Sequence, residues 1–188
     1  MRMESFRVLA HLASTLGWDL EQLDVKTAFL YGILPDDERC YMEQPEGFEE
    51  PGTKGTHVWE LLRGIYGTKQ GSRTWNVTMN DYLVHDLGFT RLACEFCIYY
   101  RKTASGVVLT GVHVDDFLLA ASSTTASAEF RKQLRSKWEI SDLGEAKFCV
   151  GICLERDRQA RTISLSQVAL IDKILQEFRM DAVEYATP

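Results

Sequence analysis

Between Val107 and Ala121 the chain is almost wholly apolar, and two adjacent carboxylates, Asp115 and Asp116, interrupt it. Apolar runs of this length on either side of a two-residue step predict two buried strands, Val107–Val114 and Phe117–Ala121, joined by Asp115-Asp116 as the hairpin tip. Ionised acids are costly to bury unpaired, so the tip must lie at a solvent-reachable edge. There a hard cation such as Mg²⁺ can neutralise them through oxygen ligands. Asp-Asp is also a good turn dipeptide, and taken alone it supports a plain turn as readily as a metal site.

The rest of the chain reads as mixed α and β. Phe6, Leu9, Leu12, Ala13 and Leu16 recur at helical spacing and Gly17 follows as a stop. Trp18–Val25 reads as a short strand ending near Asp24, and Lys26–Tyr31 as a helical turn closed by Gly32. Residues 33–57, rich in Pro, Gly and acid, predict an irregular connection with an extended piece around Cys40–Met42. Ser72 is read as the N-cap of a helix that turns Trp75, Met79, Tyr82, Leu83 and Leu87 inward and stops at Gly88. Cys97–Arg101 is a further strand, and Ser122–Thr125 caps a helix to Lys137 with Phe130, Leu134 and Trp138 inward. Lys147–Glu155 and Thr162–Leu165 predict two more strands, and Ser166 caps a helix carrying Val168, Ile171, Leu175 and Phe178.

Charge qualifies what the chain can bind. The net charge of −6 over 188 residues argues against a polyanion partner, yet residues 1–60 carry −7, 61–137 carry +4 and 138–188 carry −3. A local surplus of that kind leaves a phosphate-bearing ligand open, beside ordinary variation of surface charge. No run approaches the roughly 20 apolar residues of a membrane span, so no membrane partner is expected. The opening Met1-Arg2-Met3-Glu4-Ser5 has no apolar signal region, and the five cysteines are expected as thiols. Cys94-Glu95-Phe96-Cys97 has zinc-like spacing without a second pair, and Gly64–Lys69 lacks the Gly-Lys-Ser/Thr of a phosphate loop.

Asp24 gives the tip acids a possible companion, because carboxylates from two strands can hold two metal ions about 4 Å apart for phosphoryl transfer. The segments QLDVKTAFLYG (22–32), YMEQPEGF (41–48), GIYGTKQGSRTW (64–75), HVDDFLLA (113–120), DLG (142–144), VGI (150–152) and ISLSQ (163–167) resemble, in order, the reverse transcriptase of copia-type retrotransposons. The resemblance implies an α+β polymerase palm, a ferredoxin-like antiparallel sheet with helices on one face, followed by a partial helical thumb. Residues 1–140 would form the palm, lacking the upstream fingers, and 141–188 the end of the palm and start of the thumb. Asp24 and Asp115 then correspond to catalytic metal ligands for two Mg²⁺ ions, with Mn²⁺ as a substitute, and Asp116 to the supporting acid beside them. Phe29 corresponds to the aromatic gate against a ribose 2′-hydroxyl, Gln70 to a residue positioning the nucleotide or template, and Arg73 to a phosphate contact.

The implied partners are an RNA or DNA template with its primer, deoxynucleoside triphosphates and the remaining polyprotein domains, in a cytoplasmic virus-like particle or the nucleus. The chain departs from the family at His113, usually tyrosine, at Ser72, commonly proline, and at Cys149-Val150, usually a larger apolar pair. These departures bear on rate, fidelity and primer contact, and none removes a metal ligand. Two other functions stay open on the sequence: an inactive remnant that binds nucleic acid or protein through its basic middle, and another two-metal palm enzyme such as a nucleotide cyclase.

Overall fold

The structure, a computed structural model, describes residues 1–180. The last eight residues of the expected thumb segment lie outside the described residues. Helix α1 (Met3–Leu16) buries Phe6, Leu9, Ala10 and Ala13 on one face, and Gly17, at φ 70°, ends it by reversing the backbone. Strand β1 (Asp19–Val25) leads into a short 3₁₀ turn at Ala28–Tyr31. Strands β2 (Cys40–Glu43) and β3 (Val58–Leu61) pair as a separate hairpin. Helix α2 (Lys69–Asp81) continues into a wider π turn at Tyr82–Asp86. Strands β4 (Thr90–Arg91), β5 (Ile98–Thr103), β6 (Gly106–His113) and β7 (Asp116–Ala121) follow, then α3 (Thr124–Lys137) and β8 (Ile140–Glu145). The chain continues through β9 (Phe148–Cys149), β10 (Ile152–Asp157), β11 (Thr162–Ser166) and α4 (Val168–Glu177). None of the described helices is long and apolar enough to cross a membrane.

The main sheet has strand order β4-β5-β6-β7-β1-β8, antiparallel at every step. Alternation along β1 and β7 sends Leu23, Val25, Phe117 and Leu119 to one face, where they meet Trp75 of α2 and Phe130 and Leu134 of α3. Leu20, Leu118 and Ala120 point to the other face, against Phe6, Leu9 and Ala13 of α1 and Ile152 and Leu154 of the small β9–β11 sheet. Helices therefore cover both faces, not one as the sequence reading expects. Strand β7 is the reason: its last five residues are all buried, so both of its faces need a cover. Each fully buried Phe or Leu contributes about 1.5–3 kcal/mol of transfer free energy.

Five local expectations change: α4 begins after Gln167, while Ser166, read as its cap, is the last residue of β11. Helix α2 starts at Lys69 with Thr68 as its cap, because the Thr68 hydroxyl accepts from the Gly71 N–H, so Ser72 lies inside the helix. The β6–β7 connection is Val114-Asp115, since His113 and Asp116 are already strand partners. The span read as one strand from Lys147 is split by Val150 (φ 53°) and Gly151 (φ 76°), whose left-handed backbones make a tight hairpin between β9 and β10. Finally, two strands go unread in the sequence: β8, whose Asp142, Gly144 and Glu145 look like loop, and β3, a four-residue piece with one charge; their pairing partners define them instead.

Candidate active site

The ladder between the central strands β1 and β7 brings the acids together. Its register sets Leu20 opposite Ala120, Gln22 opposite Leu118 and Asp24 opposite Asp116. All six residues point to the same side of the sheet, and the two acids sit at the end where β1 leaves it. Asp115, one residue before β7, is drawn in by its main chain, whose carbonyl accepts the Val25 N–H at 3.0 Å. The indole N–H of Trp75 donates to the neighbouring Val114 carbonyl at 2.6 Å, so α2 also holds the turn.

The three carboxylates are half-buried and each is differently engaged. Gln22 donates its amide to Asp116 Oδ1 at 3.0 Å, and the Tyr66 hydroxyl donates to Asp115 Oδ2 at 2.9 Å. Burial, then the Asp115 and Asp116 charges, push the Asp24 carboxyl above its ordinary range, with Lys26 opposing. Burial and the bond to Asp115 likewise push the Tyr66 phenol up to about 12, so it stays a donor. Among the described residues no three Asp, Glu, His or Cys side chains converge as an assembled metal centre. The donor set fits a hard divalent cation all the same, because it is all oxygen and carries mutual repulsion that such a cation relieves.

Phe29 is buried in the 3₁₀ turn and its ring lies 4.3 Å from that of Tyr66, centroid to centroid. Gln70 is half-buried in the first turn of α2. Arg73 is turned to Glu38, 2.5 Å away, and lines a groove with Tyr31, Pro35 and Trp138. His113 lies opposite Asp116 on β6 and lines a cavity of about 240 Å³ with Phe29, Ser72 and Trp75. Sequence reasoning passes over Gln22, Tyr66 and Trp75. Gln22 was findable, since a polar residue two before Asp24 shares its face of a strand. Tyr66 reaches Asp115 across 49 residues of chain and Trp75 reaches the Val114 carbonyl across 39, and no local periodicity marks such contacts.

An α+β sheet with acids at the ends of two adjacent central strands, and a third on the turn beside them, defines a carboxylate site suited to a hard cation. The chain belongs to the reverse transcriptase (RNA-dependent DNA polymerase) family, whose model matches residues 1–188. It is 34% identical over 190 residues to the Retrovirus-related Pol polyprotein from transposon TNT 1-94 of Nicotiana tabacum, covering 100% of this chain and 14% of that protein. It is 30% identical to the Retrovirus-related Pol polyprotein from transposon RE1 of Arabidopsis thaliana over 96% of this chain and 12% of that protein. To the putative transposon Ty5-1 protein of Saccharomyces cerevisiae it is 34% identical over 82% of this chain and 49% of that protein. These relatives support the copia-type resemblance read from the motifs. The chain thus spans at most about half the length of these relatives. No solved structure matches it significantly.

Proposed function

We propose that this chain is the palm of a template-directed DNA polymerase, adding a deoxynucleotide to a primer 3′-hydroxyl, with residues 141–188 ending the palm and starting the thumb. The observation that carries the reading is the register that sets Asp24 against Asp116, with Asp115 one residue away. The succession β1-α2-β6-β7-α3-β8, with sheet order β6-β7-β1-β8, supports a ferredoxin-like palm. Asp24, Asp115 and Asp116 would hold two Mg²⁺ or Mn²⁺ ions, which when bound activate the attacking hydroxyl and stabilise the leaving oxygen. Gln22 and Tyr66 each hold one oxygen of Asp116 and Asp115, and among the described residues the other oxygen of each accepts no hydrogen bond and would be open to a ligand. Phe29, buried and packed on Tyr66, would act as the gate against a 2′-hydroxyl, and Gln70, in the first turn of α2, would position the nucleotide or template. The template, primer, deoxynucleoside triphosphates, flanking polyprotein domains and a particle-bound or nuclear setting follow from the same reading.

The rival reading, a remnant binding nucleic acid through the basic middle, has less support. Of the basic residues from Arg63 to Lys137, Arg63, Arg91 and Arg101 donate to main-chain carbonyls, and Arg73, Arg131 and Arg135 pair with acids. Lys137 lies over the Tyr82 ring. Few cations of that stretch are left for phosphates. Primer extension on an RNA template, by this chain and by the longer polyprotein segment containing it, tests the proposal. Extension that Asp115→Asn abolishes supports it, and extension at an unchanged rate in that variant overturns it.

A further inference from the structure

We infer that Tyr66 is a positioning residue that fixes Asp115 and Phe29 relative to each other, coupling the metal-binding acid to the ring that screens the sugar. The inference rests on the polymerase reading above. Tyr66 is 56% exposed, and a side chain so exposed is ordinarily free to change rotamer. Here both of its ends are occupied: the hydroxyl donates to Asp115 Oδ2 at 2.9 Å, and the ring packs on Phe29 at 4.3 Å with 43° between the planes. Phe29 itself is only 6% exposed, and Tyr66 is part of what covers it.

The backbone that carries Tyr66 is clamped from two sides. The Gly64 N–H donates to the Gly32 carbonyl at 2.9 Å, next to the turn that holds Phe29. A side chain at Gly64 would sit 2.5 Å from Gly71 Cα and 3.0 Å from the Phe29 carbonyl oxygen. On the other side Thr68 Oγ1 donates to the Ile65 carbonyl at 2.8 Å while accepting from the Gly71 N–H at 3.1 Å. Tyr66 is therefore placed by main-chain packing against the Phe29 turn and the start of α2. The Asp115 main chain is fixed separately, through Val25 and through Trp75 on the adjoining Val114 carbonyl. Its carboxylate orientation is left to Tyr66, and hydrogen-bond partners of metal-ligating carboxylates typically contribute 10–100-fold to metal affinity.

Mn²⁺ titration of the full chain followed by electron paramagnetic resonance, with melting curves as a folding control, separates the two roles. Tyr66→Phe, which keeps the ring and removes the hydroxyl, is expected to weaken Mn²⁺ binding about 10–100-fold at an unchanged melting temperature. The same variant is expected to leave the ratio of deoxynucleotide to ribonucleotide incorporation unchanged, whereas Tyr66→Leu lowers that ratio as well. Mn²⁺ binding that Asp115→Asn does not alter overturns the polymerase reading and this inference with it. Binding that Asp115→Asn abolishes but Tyr66→Phe leaves at wild-type strength overturns the role of Tyr66 alone.

Discussion

Asp24 and Asp116 face each other across the β1–β7 ladder as the last pair of its register. Burial and the two neighbouring acids hold the Asp24 carboxyl above its ordinary value near 3.8. A raised folded value means that the folded chain keeps this proton longer than the unfolded one. The associated stability is present below the unfolded value and is lost as pH rises through the folded value. Ionised Asp24 therefore destabilises the metal-free protein at neutral pH. Asp24→Asn is expected to melt above wild type at about pH 7 without divalent ions, an advantage that fades toward about pH 4. Under the polymerase reading it also lowers primer extension by roughly 10²-fold or more. An Asp24→Asn chain that melts below wild type at neutral pH contradicts the repulsion.

The turn that presents Asp115 is strained at Val114, a β-branched, partly exposed residue at φ 61°. A left-handed backbone costs such a residue about 1–2 kcal/mol, and glycine there gives back about 0.5–1 kcal/mol through its looser unfolded state. Val114→Gly is thus expected to raise stability by up to about 1 kcal/mol, read by urea denaturation. A clear loss would mean that the Val114 side chain packs rather than merely tolerates its conformation.

Much of this site was legible because its strands carry a local signal. The apolar runs flanking Asp115 and Asp116 announce β6 and β7, and the helical spacing of Phe6, Leu9 and Ala13 announces α1. The step from Asp115-Asp116 to Val114-Asp115 as the turn is a shift of one residue. It decides which acid joins the ladder, and pairing on both sides sets it, with His113 of β6 and Asp24 of β1 each facing Asp116. Strand β8 was illegible for a related reason: Ser141, Asp142 and Glu145 look like loop, and they are strand because β1 offers an edge. Tyr66 belongs to the same class, since its meaning lies wholly in contacts made after folding.

The glycines under Tyr66 make a different kind of prediction. At Gly64 a methyl group would lie 2.5 Å from Gly71 Cα, and backbone cannot swing aside as a side chain would. At Gly67 nothing lies within 4 Å, and only the φ of 89° opposes a side chain. Gly64→Ala is expected to cost about 1–3 kcal/mol by overpacking, and Gly67→Ala about 1 kcal/mol by conformation. Chemical denaturation of both variants orders them, and the reverse order would show that the junction is not close-packed.

Glu95 has the opposite pH sense to Asp24. Helix α1 has Arg2 at its N-cap with no side-chain cap of its own. Glu95, from the loop between β4 and β5, supplies one by accepting from the Arg2 N–H at 3.3 Å and the Ser5 hydroxyl at 2.8 Å, while the Cys97 N–H donates to its other oxygen at 3.2 Å. Burial alone would raise this carboxyl, but these hydrogen bonds outweigh it and hold it below its ordinary value near 4.5. The Arg2 guanidinium, 3.9 Å away and largely exposed, adds little. A lowered folded value puts the stability above the unfolded value and removes it as pH falls through the folded one. Glu95→Gln is accordingly expected to cost about 1–3 kcal/mol at neutral pH, since hydrogen bonds to a charged acceptor are lost. The deficit should shrink as pH drops below about 4. Denaturation at both pH values checks it. A deficit of equal size at each would show that the shape of the side chain, rather than its charge, anchors the start of α1.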